Sequence, residues 1–84
     1  MEEINAIIWT QKFEQEFKKI KDRITQDKIE KQIKKVLENP TVGKPLRYDL
    51  KGERTIYIKP FRLIYTVDKN KLILLRFEHR NGVY

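Results

Sequence analysis

The sequence contains no cysteine and a single histidine, His79, among its 84 residues. The lack of cysteine excludes disulfide frameworks, thiol catalysis and cysteine-based zinc sites. One histidine makes a metal centre remote, so we expect no metal and no cofactor. No apolar run approaches the roughly 20 residues of a membrane-spanning helix, and the acidic start Met1-Glu2-Glu3 is unlike the basic first part of a secretory signal. We therefore expect a cytoplasmic protein that is not associated with a membrane.

The shortness of the chain limits what it can contain. A domain of this size buries only about 60 to 65% of the surface that its unfolded chain exposes. We therefore expect one modest core and a single domain over residues 1–84, without a separate substrate domain. Hydrophobic residues make up 39% of the chain, and they recur in regular patterns, so the high charge does not indicate disorder.

Positive charge is concentrated in the second half of the sequence. The whole chain carries a net charge of +7 at pH 7. Residues 1–43 hold nine basic and eight acidic side chains, whereas residues 44–84 hold ten basic and four acidic ones. Most of the excess therefore belongs to one half, as expected of a surface that binds a polyanion such as RNA. Many small basic proteins are merely soluble, so charge alone leaves nucleic-acid binding open.

The first half of the sequence predicts a short strand followed by two helices. The alternating isoleucines of residues 3–9 suit a strand. After Thr10, a predicted N-cap, apolar residues recur at helical spacing: Phe13, Phe17, Ile20 and Ile24. A second helix is predicted from about residue 25 to residue 38, ending at Asn39-Pro40, with this apolar stripe: Ile29, Ile33, Val36 and Leu37. We expect the helices to form an antiparallel hairpin whose apolar side is covered by a sheet.

The second half predicts that sheet. A loop around Gly43 and Pro45 is followed by strands over residues 46–50, 53–59, 61–67 and 71–78. The predicted turns between them are Lys51-Gly52, Lys59-Pro60 and Asp68-Lys69-Asn70. The fold class is therefore α+β, with two helices on one face of a largely antiparallel sheet of about four strands.

Strand alternation assigns side chains to the two faces of this sheet. In the strand over residues 53–59, Ile56 and Ile58 face the core, and Thr55 and Tyr57 face the other side. In the next strand the choice of buried face stays open, because both sets are partly apolar: Leu63, Tyr65 and Val67 on one face, and Arg62, Ile64 and Thr66 on the other.

Four short motifs then carry a resemblance to a known family. They are Gly43-Lys44-Pro45-Leu46, Asp49-Leu50-Lys51-Gly52, Phe61-Arg62-Leu63-Ile64-Tyr65 and His79-Arg80-Asn81-Gly82-Val83-Tyr84. In this order and spacing, the chain resembles the RelE/ParE toxin superfamily over essentially its whole length. Its RelE branch is the most similar. That resemblance implies a type II toxin that cleaves mRNA in the ribosomal A site and forms a hetero-oligomer with a cognate RelB-like antitoxin.

The resemblance also implies site residues. A ribonuclease without a metal makes the ribose 2′-hydroxyl attack the neighbouring phosphate, so it needs charge stabilisation and proton transfer. Arg62 and Arg80 match the two positions that stabilise the phosphate in the family. Tyr84 matches a tyrosine that orients the nucleotide, and His79 is a candidate acid or base.

One part of the family pattern is missing from this sequence. Thr55 and Tyr57 stand where well-studied RelE-type toxins have lysines on the third strand. Nearby basic residues are candidates to supply the RNA-binding charge instead: Lys51, Arg54 and Lys59.

Other interpretations of the sequence remain open. Arg62 read alone is an exposed strand arginine, and His79 read alone is a structural histidine. The same scaffold also suits a ParE-like topoisomerase inhibitor or a non-catalytic RNA-binding module. The terminal residues His79, Arg80 and Tyr84 favour the nuclease.

Overall fold

The fold is built from two helices and five strands. A computed structural model describes residues 3–45 and 52–79, except for the side chain of His79. The elements in chain order are β1 (Ala6–Trp9), α1 (Gln11–Lys18), α2 (Arg23–Glu38), β2 (Lys44–Pro45), β3 (Arg54–Ile58), β4 (Phe61–Asp68) and β5 (Lys71–His79). Among the described residues, no helix combines the length and the apolar character that a membrane span requires.

The strands form one mixed sheet in the order β1-β5-β4-β3-β2. β1 runs parallel to β5, and every other neighbouring pair is antiparallel. Two residues, Lys69 and Asn70, connect β4 to β5 with φ angles of 54° and 87°. A two-residue hairpin loop of this kind requires the left-handed region, which asparagine tolerates well. The predicted α+β fold with a largely antiparallel sheet is confirmed.

Thr10 begins α1 as predicted and also ties the helix to the sheet. Its Oγ1 accepts a hydrogen bond from the Phe13 N–H at 3.2 Å and donates to the Leu74 carbonyl at 2.7 Å. One hydroxyl thus caps the helix and anchors it on β5.

The predicted extension of the first apolar stripe to Ile24 is wrong. α1 ends at Lys18, and Ile24 lies in α2 with 65% of its surface exposed. The cause is a second N-cap at Asp22, whose carboxylate accepts hydrogen bonds from the Ile24 N–H and the Thr25 hydroxyl. Because a new helix starts there, the periodicity of α1 does not continue through the connection.

The core lies between the helices and one face of the sheet. Its buried residues are Phe13 of α1, three residues of α2, and six residues of β3, β4 and β5. The α2 residues are Ile29, Ile33 and Val36, as predicted, and the strand residues are Ile58, Leu63, Tyr65, Leu72, Leu74 and Phe77. The face of β4 that carries Leu63 and Tyr65 is therefore the one that contacts the helices. Ile64 points to the opposite face and is fully buried as well, which explains why both faces of this strand are apolar in the sequence.

The strand boundaries of β3, β4 and β5 lie within one residue of prediction, and larger differences occur at two places. The predicted loop at Gly43 and Pro45 contains the short strand β2, which pairs with the start of β3. β1 covers only residues 6–9 of the predicted 3–9, and within it Ile7 packs on the core while Ile8 is 40% exposed. The predicted strand over residues 46–50 lies outside the described residues.

Candidate nucleic-acid interface

The predicted site residues lie on two different faces of the sheet. Cross-strand partners share a face, and the register aligns Tyr57, Arg62 and Glu78 across β3, β4 and β5. It aligns Arg54 with Tyr65 and Leu74, on the face that the helices cover. We call the other face, which carries Tyr57, Arg62 and Glu78, the open face. Arg62 and Arg54 are therefore not brought together.

Arg62 is bound by a carboxylate on the open face. Its Nε and Nη2 both lie 3.1 Å from Oε1 of Glu78, and its side chain is 41% exposed. One edge of the guanidinium fork is thus occupied by an anion in the same position that a phosphate oxygen would take.

The pairing continues along the open face into a network of four charges. Glu78 accepts a second hydrogen bond through Oε2 from Nε of Arg76 at 3.1 Å. Arg76 also donates through Nη2 to Oε1 of Glu53 at 3.4 Å. Two arginines and two glutamates carry no net charge together, so the network offsets part of the basic excess of this half.

Three members of this network are not among the site residues that the sequence predicts: Arg76, Glu78 and Glu53. A signal was present, because Arg76 and Glu78 are two residues apart in a predicted strand and therefore share a face. Their pairing with Arg62 depends on the register between β4 and β5, in which Arg62 lies opposite Glu78.

Arg54 contacts the segment that follows α2. Its Nη1 donates to the Gly43 carbonyl at 2.6 Å and to the Thr41 carbonyl at 3.3 Å. The guanidinium is thus bound to two backbone oxygens on the helix-covered face. Its role in RNA binding stays a prediction.

Tyr65 fixes the same segment from within the core. Its hydroxyl accepts from the Gly43 N–H at 3.0 Å and donates to the Pro40 carbonyl at 2.7 Å. Burial raises the pKa of Tyr65 above its usual value, although the Gly43 N–H and the Arg54 guanidinium act in the opposite direction. A Cβ at Gly43 would come within 2.8 Å of the Tyr65 ring and hydroxyl. The close approach therefore requires glycine.

The remaining candidate residues are placed only in part. Lys59 is exposed in the turn between β3 and β4. The backbone of His79 pairs with Phe61 at the end of β5. Lys51, Arg80 and Tyr84 lie outside the described residues, so their predicted roles stay predictions.

Thr55 and Tyr57 lie on β3 and belong to the open face. They are the two positions that the resemblance matches to lysines of RelE-type toxins. Tyr57 is 51% exposed. Oγ1 of Thr55 is buried and has no hydrogen-bond partner within the described part of the chain. Neither side chain supplies the positive charge that a lysine would.

Comparisons with known proteins identify the family. The family model described as "ParE toxin of type II toxin-antitoxin system, parDE" matches residues 7–84. This chain belongs to the ParE toxin family. It is a toxin of a type II toxin–antitoxin system, within the RelE/ParE superfamily that the sequence motifs indicate. A comparison with curated protein sequences gives no significant match.

Solved structures show the same fold. The toxin–antitoxin complex RelBE2 of Mycobacterium tuberculosis is 28% identical, with a TM-score of 0.73, covering 89% of this chain and 96% of that one. A YoeB/ParE toxin from Agrobacterium tumefaciens is 20% identical, with a TM-score of 0.79 and coverage of 89% and 98%. The intact RelBE complex of E. coli is 17% identical, with a TM-score of 0.75 and coverage of 87% and 93%. This ParE-family toxin thus has the RelE-like fold over nearly all of its length.

Proposed function

We propose that this toxin is a ribosome-dependent endoribonuclease that cleaves mRNA in the A site and so inhibits translation in the cytoplasm. The observation that carries the proposal is Arg62, a partly exposed arginine on the face of the sheet opposite the helices. The fold that it shares with the RelBE complexes and the basic second half of the chain support the same conclusion.

The proposed chemistry uses side chains of this chain and no metal. The 2′-hydroxyl attacks the adjacent phosphorus, and the bond from phosphorus to the leaving 5′ oxygen breaks. Arg62 and Arg80 stabilise the negative charge that develops on the phosphate oxygens. Tyr84 orients the nucleotide, and His79 transfers a proton at the attacking or the leaving oxygen. Two lysines near β3, Lys51 and Lys59, hold the RNA backbone, whereas Arg54 lies on the other face, where it binds the Gly43 and Thr41 carbonyls.

Dependence on the ribosome has a physical reason. Thr55 and Tyr57 provide no strong general base, so the free protein lacks one means of activating the 2′-hydroxyl. Holding the mRNA in an attack geometry lowers the barrier without any additional side chain. The ribosome supplies that positioning.

The test is cleavage of a translated message by an Arg62→Ala variant. We expect cleavage to slow by roughly a hundredfold or more, because a lost charge-stabilising donor typically costs that much. The measurement is primer extension on mRNA from an in vitro translation reaction. Arg23→Ala is the matched control, because Arg23 is exposed at the start of α2, outside the sheet. Equal cleavage by both variants would contradict the role of Arg62.

A second candidate function is inhibition of a topoisomerase without RNA cleavage. Two observations favour it: the matching family model is that of ParE toxins, and Glu78 neutralises Arg62 on the open face. Gyrase supercoiling that stops when the toxin is added, with mRNA left intact, would establish this function over the nuclease. If mRNA stays uncut and supercoiling is unaffected, a non-catalytic RNA-binding module is the interpretation that remains.

The partner that we propose is a cognate RelB-like antitoxin, in a hetero-oligomer with the toxin. Two of the similar structures are toxin–antitoxin complexes. A net charge of +7 favours an acidic partner, and an extended chain that folds on binding can cover a domain of this size. We expect a small acidic protein encoded next to this gene to abolish toxicity when the two are co-expressed. Toxicity that persists in the isolated complex would contradict this role.

A further inference from the structure

We propose that Glu78 limits the affinity of this toxin for free RNA, because its carboxylate occupies the edge of Arg62 that would otherwise bind a phosphate. Glu78 is thereby assigned as a specificity-determining residue of the open face. The inference rests on the proposed function in one respect, which is that RNA is the ligand of Arg62.

The Glu78 carboxylate lies against one edge of the Arg62 guanidinium. Oε1 of Glu78 lies 3.1 Å from both Nε and Nη2 of Arg62. These two N–H groups form one of the edges with which an arginine binds a carboxylate or a phosphate. An RNA phosphate that approaches this edge has to displace the carboxylate or to bind beside it against electrostatic repulsion.

Glu78 is itself held in place by a second arginine. Its other oxygen, Oε2, accepts from Nε of Arg76 at 3.1 Å, and Arg76 also contacts Glu53. A carboxylate that is bound on both oxygens does not turn away freely, because turning breaks two charge-assisted hydrogen bonds.

The charge network is only partly exposed to solvent. Its four side chains are between 22% and 41% exposed, so they are neither deeply buried nor fully solvated. Salt screens charge pairs weakly where they are partly buried. The carboxylate therefore reduces the positive potential at Arg62 while leaving the arginine accessible. When the ribosome holds the mRNA next to this face, the local concentration of phosphate is high. A phosphate can then displace the Glu78 carboxylate from Arg62.

The experiment measures binding of a short fluorescein-labelled single-stranded RNA by fluorescence anisotropy, with the full chain and no ribosome. The key variant is Glu78→Gln, which removes the charge and keeps the shape. We expect it to bind RNA roughly five- to tenfold more tightly than wild type, from the loss of one nearby negative charge. The matched control is Glu30→Gln, at an exposed position of α2, with the same change in net charge and an expected effect of less than about twofold.

A double variant tests whether the effect passes through Arg62. In the Arg62→Ala background, Glu78→Gln should lose most of its gain in affinity. The proposal is overturned if Glu78→Gln binds no more tightly than Glu30→Gln, or if the double variant keeps the full gain. Thermal unfolding by circular dichroism checks the fold of each variant. Should Glu78→Gln fail to fold, Glu78→Thr takes its place, because threonine is a good strand former.

The binding assay and the cleavage assay can fail separately. If wild type cuts a translated message but Glu78→Gln binds RNA no more tightly, the role of Glu78 is wrong and the proposed function stands. If no message is cut while Glu78→Gln binds RNA more tightly through Arg62, the proposed nuclease activity is wrong and the role of Glu78 stands.

Discussion

Tyr65 shows how one side chain can belong to the core and also shape a loop. Its ring is fully buried among the core residues, while its hydroxyl joins the Gly43 N–H to the Pro40 carbonyl. A buried hydroxyl is stable only when its hydrogen bonds are made, and here both partners come from the segment that follows α2. The residue therefore connects the end of a helix with the central strand β4.

Tyr65→Phe should destabilise the protein by about 1 to 3 kcal/mol, because it leaves the Gly43 N–H and the Pro40 carbonyl without their partner. The free energy of unfolding, measured in urea at neutral pH, checks this. The loss should also depend on pH. Burial raises the pKa of Tyr65 above 10.0, so the folded chain keeps a proton that the unfolded chain releases as pH rises past that value.

The contribution of Tyr65 to stability is thus complete below pH 10.0 and decreases as the pH rises towards its folded pKa. The variant has no such group, so the difference in stability between wild type and Tyr65→Phe should shrink at about pH 10.5. A difference that is independent of pH would show that ionisation of this hydroxyl is not linked to folding.

At the scale of elements, α1 is tied to the sheet at its N-cap, Thr10. α1 has only eight residues, and so short a helix is not stable in water by itself. The Thr10 hydroxyl caps it and donates to β5, while Phe13 and Phe17 pack with the neighbouring Trp9. The cap, the aromatic packing and the strand contact together make this helix form.

Thr10→Val should therefore cost about 1 to 2 kcal/mol, from the lost cap and the lost hydroxyl bonds to the Leu74 and Leu75 carbonyls. Chemical denaturation of the purified protein measures the loss. Thr41→Val is the matched control. Among the residues that the structure describes, the Thr41 hydroxyl bonds only to the exposed Asn39 side chain, at 3.0 Å, and its removal should change stability by less than about 0.5 kcal/mol. Equal losses in the two variants would show that Thr10 does not join helix and sheet as described.

At the scale of the whole molecule, positive charge is distributed unevenly between the two halves of the chain. The helices carry nearly balanced charge, and the strand-rich half holds most of the excess. Within that half, Arg62 and Arg76 are offset by Glu78 and Glu53. The exposed lysines of this half therefore contribute more of its long-range positive potential than the charge total suggests.

Two charge reversals distinguish the halves. Lys59→Glu in the turn between β3 and β4 should weaken binding of single-stranded RNA by roughly tenfold at low salt, because it removes the proposed phosphate contact of Lys59 and adds repulsion. Lys34→Glu changes the net charge equally on the exposed side of α2 and should have an effect of less than about threefold. Anisotropy titrations at two salt concentrations measure both, and similar losses would show that RNA is attracted by net charge rather than by the sheet.

The elements that sequence reasoning located correctly depend on residues close together in the chain. The N-cap at Thr10, the stripe Ile29-Ile33-Val36 and the turn at Lys69-Asn70 are each specified within a few positions. The error at Ile24 has the same origin, because a second cap at Asp22 restarts the helix and a continuous period does not detect a restart. The family motifs also single out Arg62, whose role in catalysis stays a prediction.

By itself, then, the sequence determined the α+β class, the family and the half of the chain that carries the positive charge, because pattern, motif and composition are properties of the chain alone. Only the tertiary structure decided that Arg62 and Arg54 lie on opposite faces and that Glu78 occupies the fork of Arg62. The reason is register. Arg62 and Glu78 are 16 residues apart in the chain. Their contact exists only because β4 and β5 align in one of several possible registers, with an irregularity between Ile64 and Tyr65.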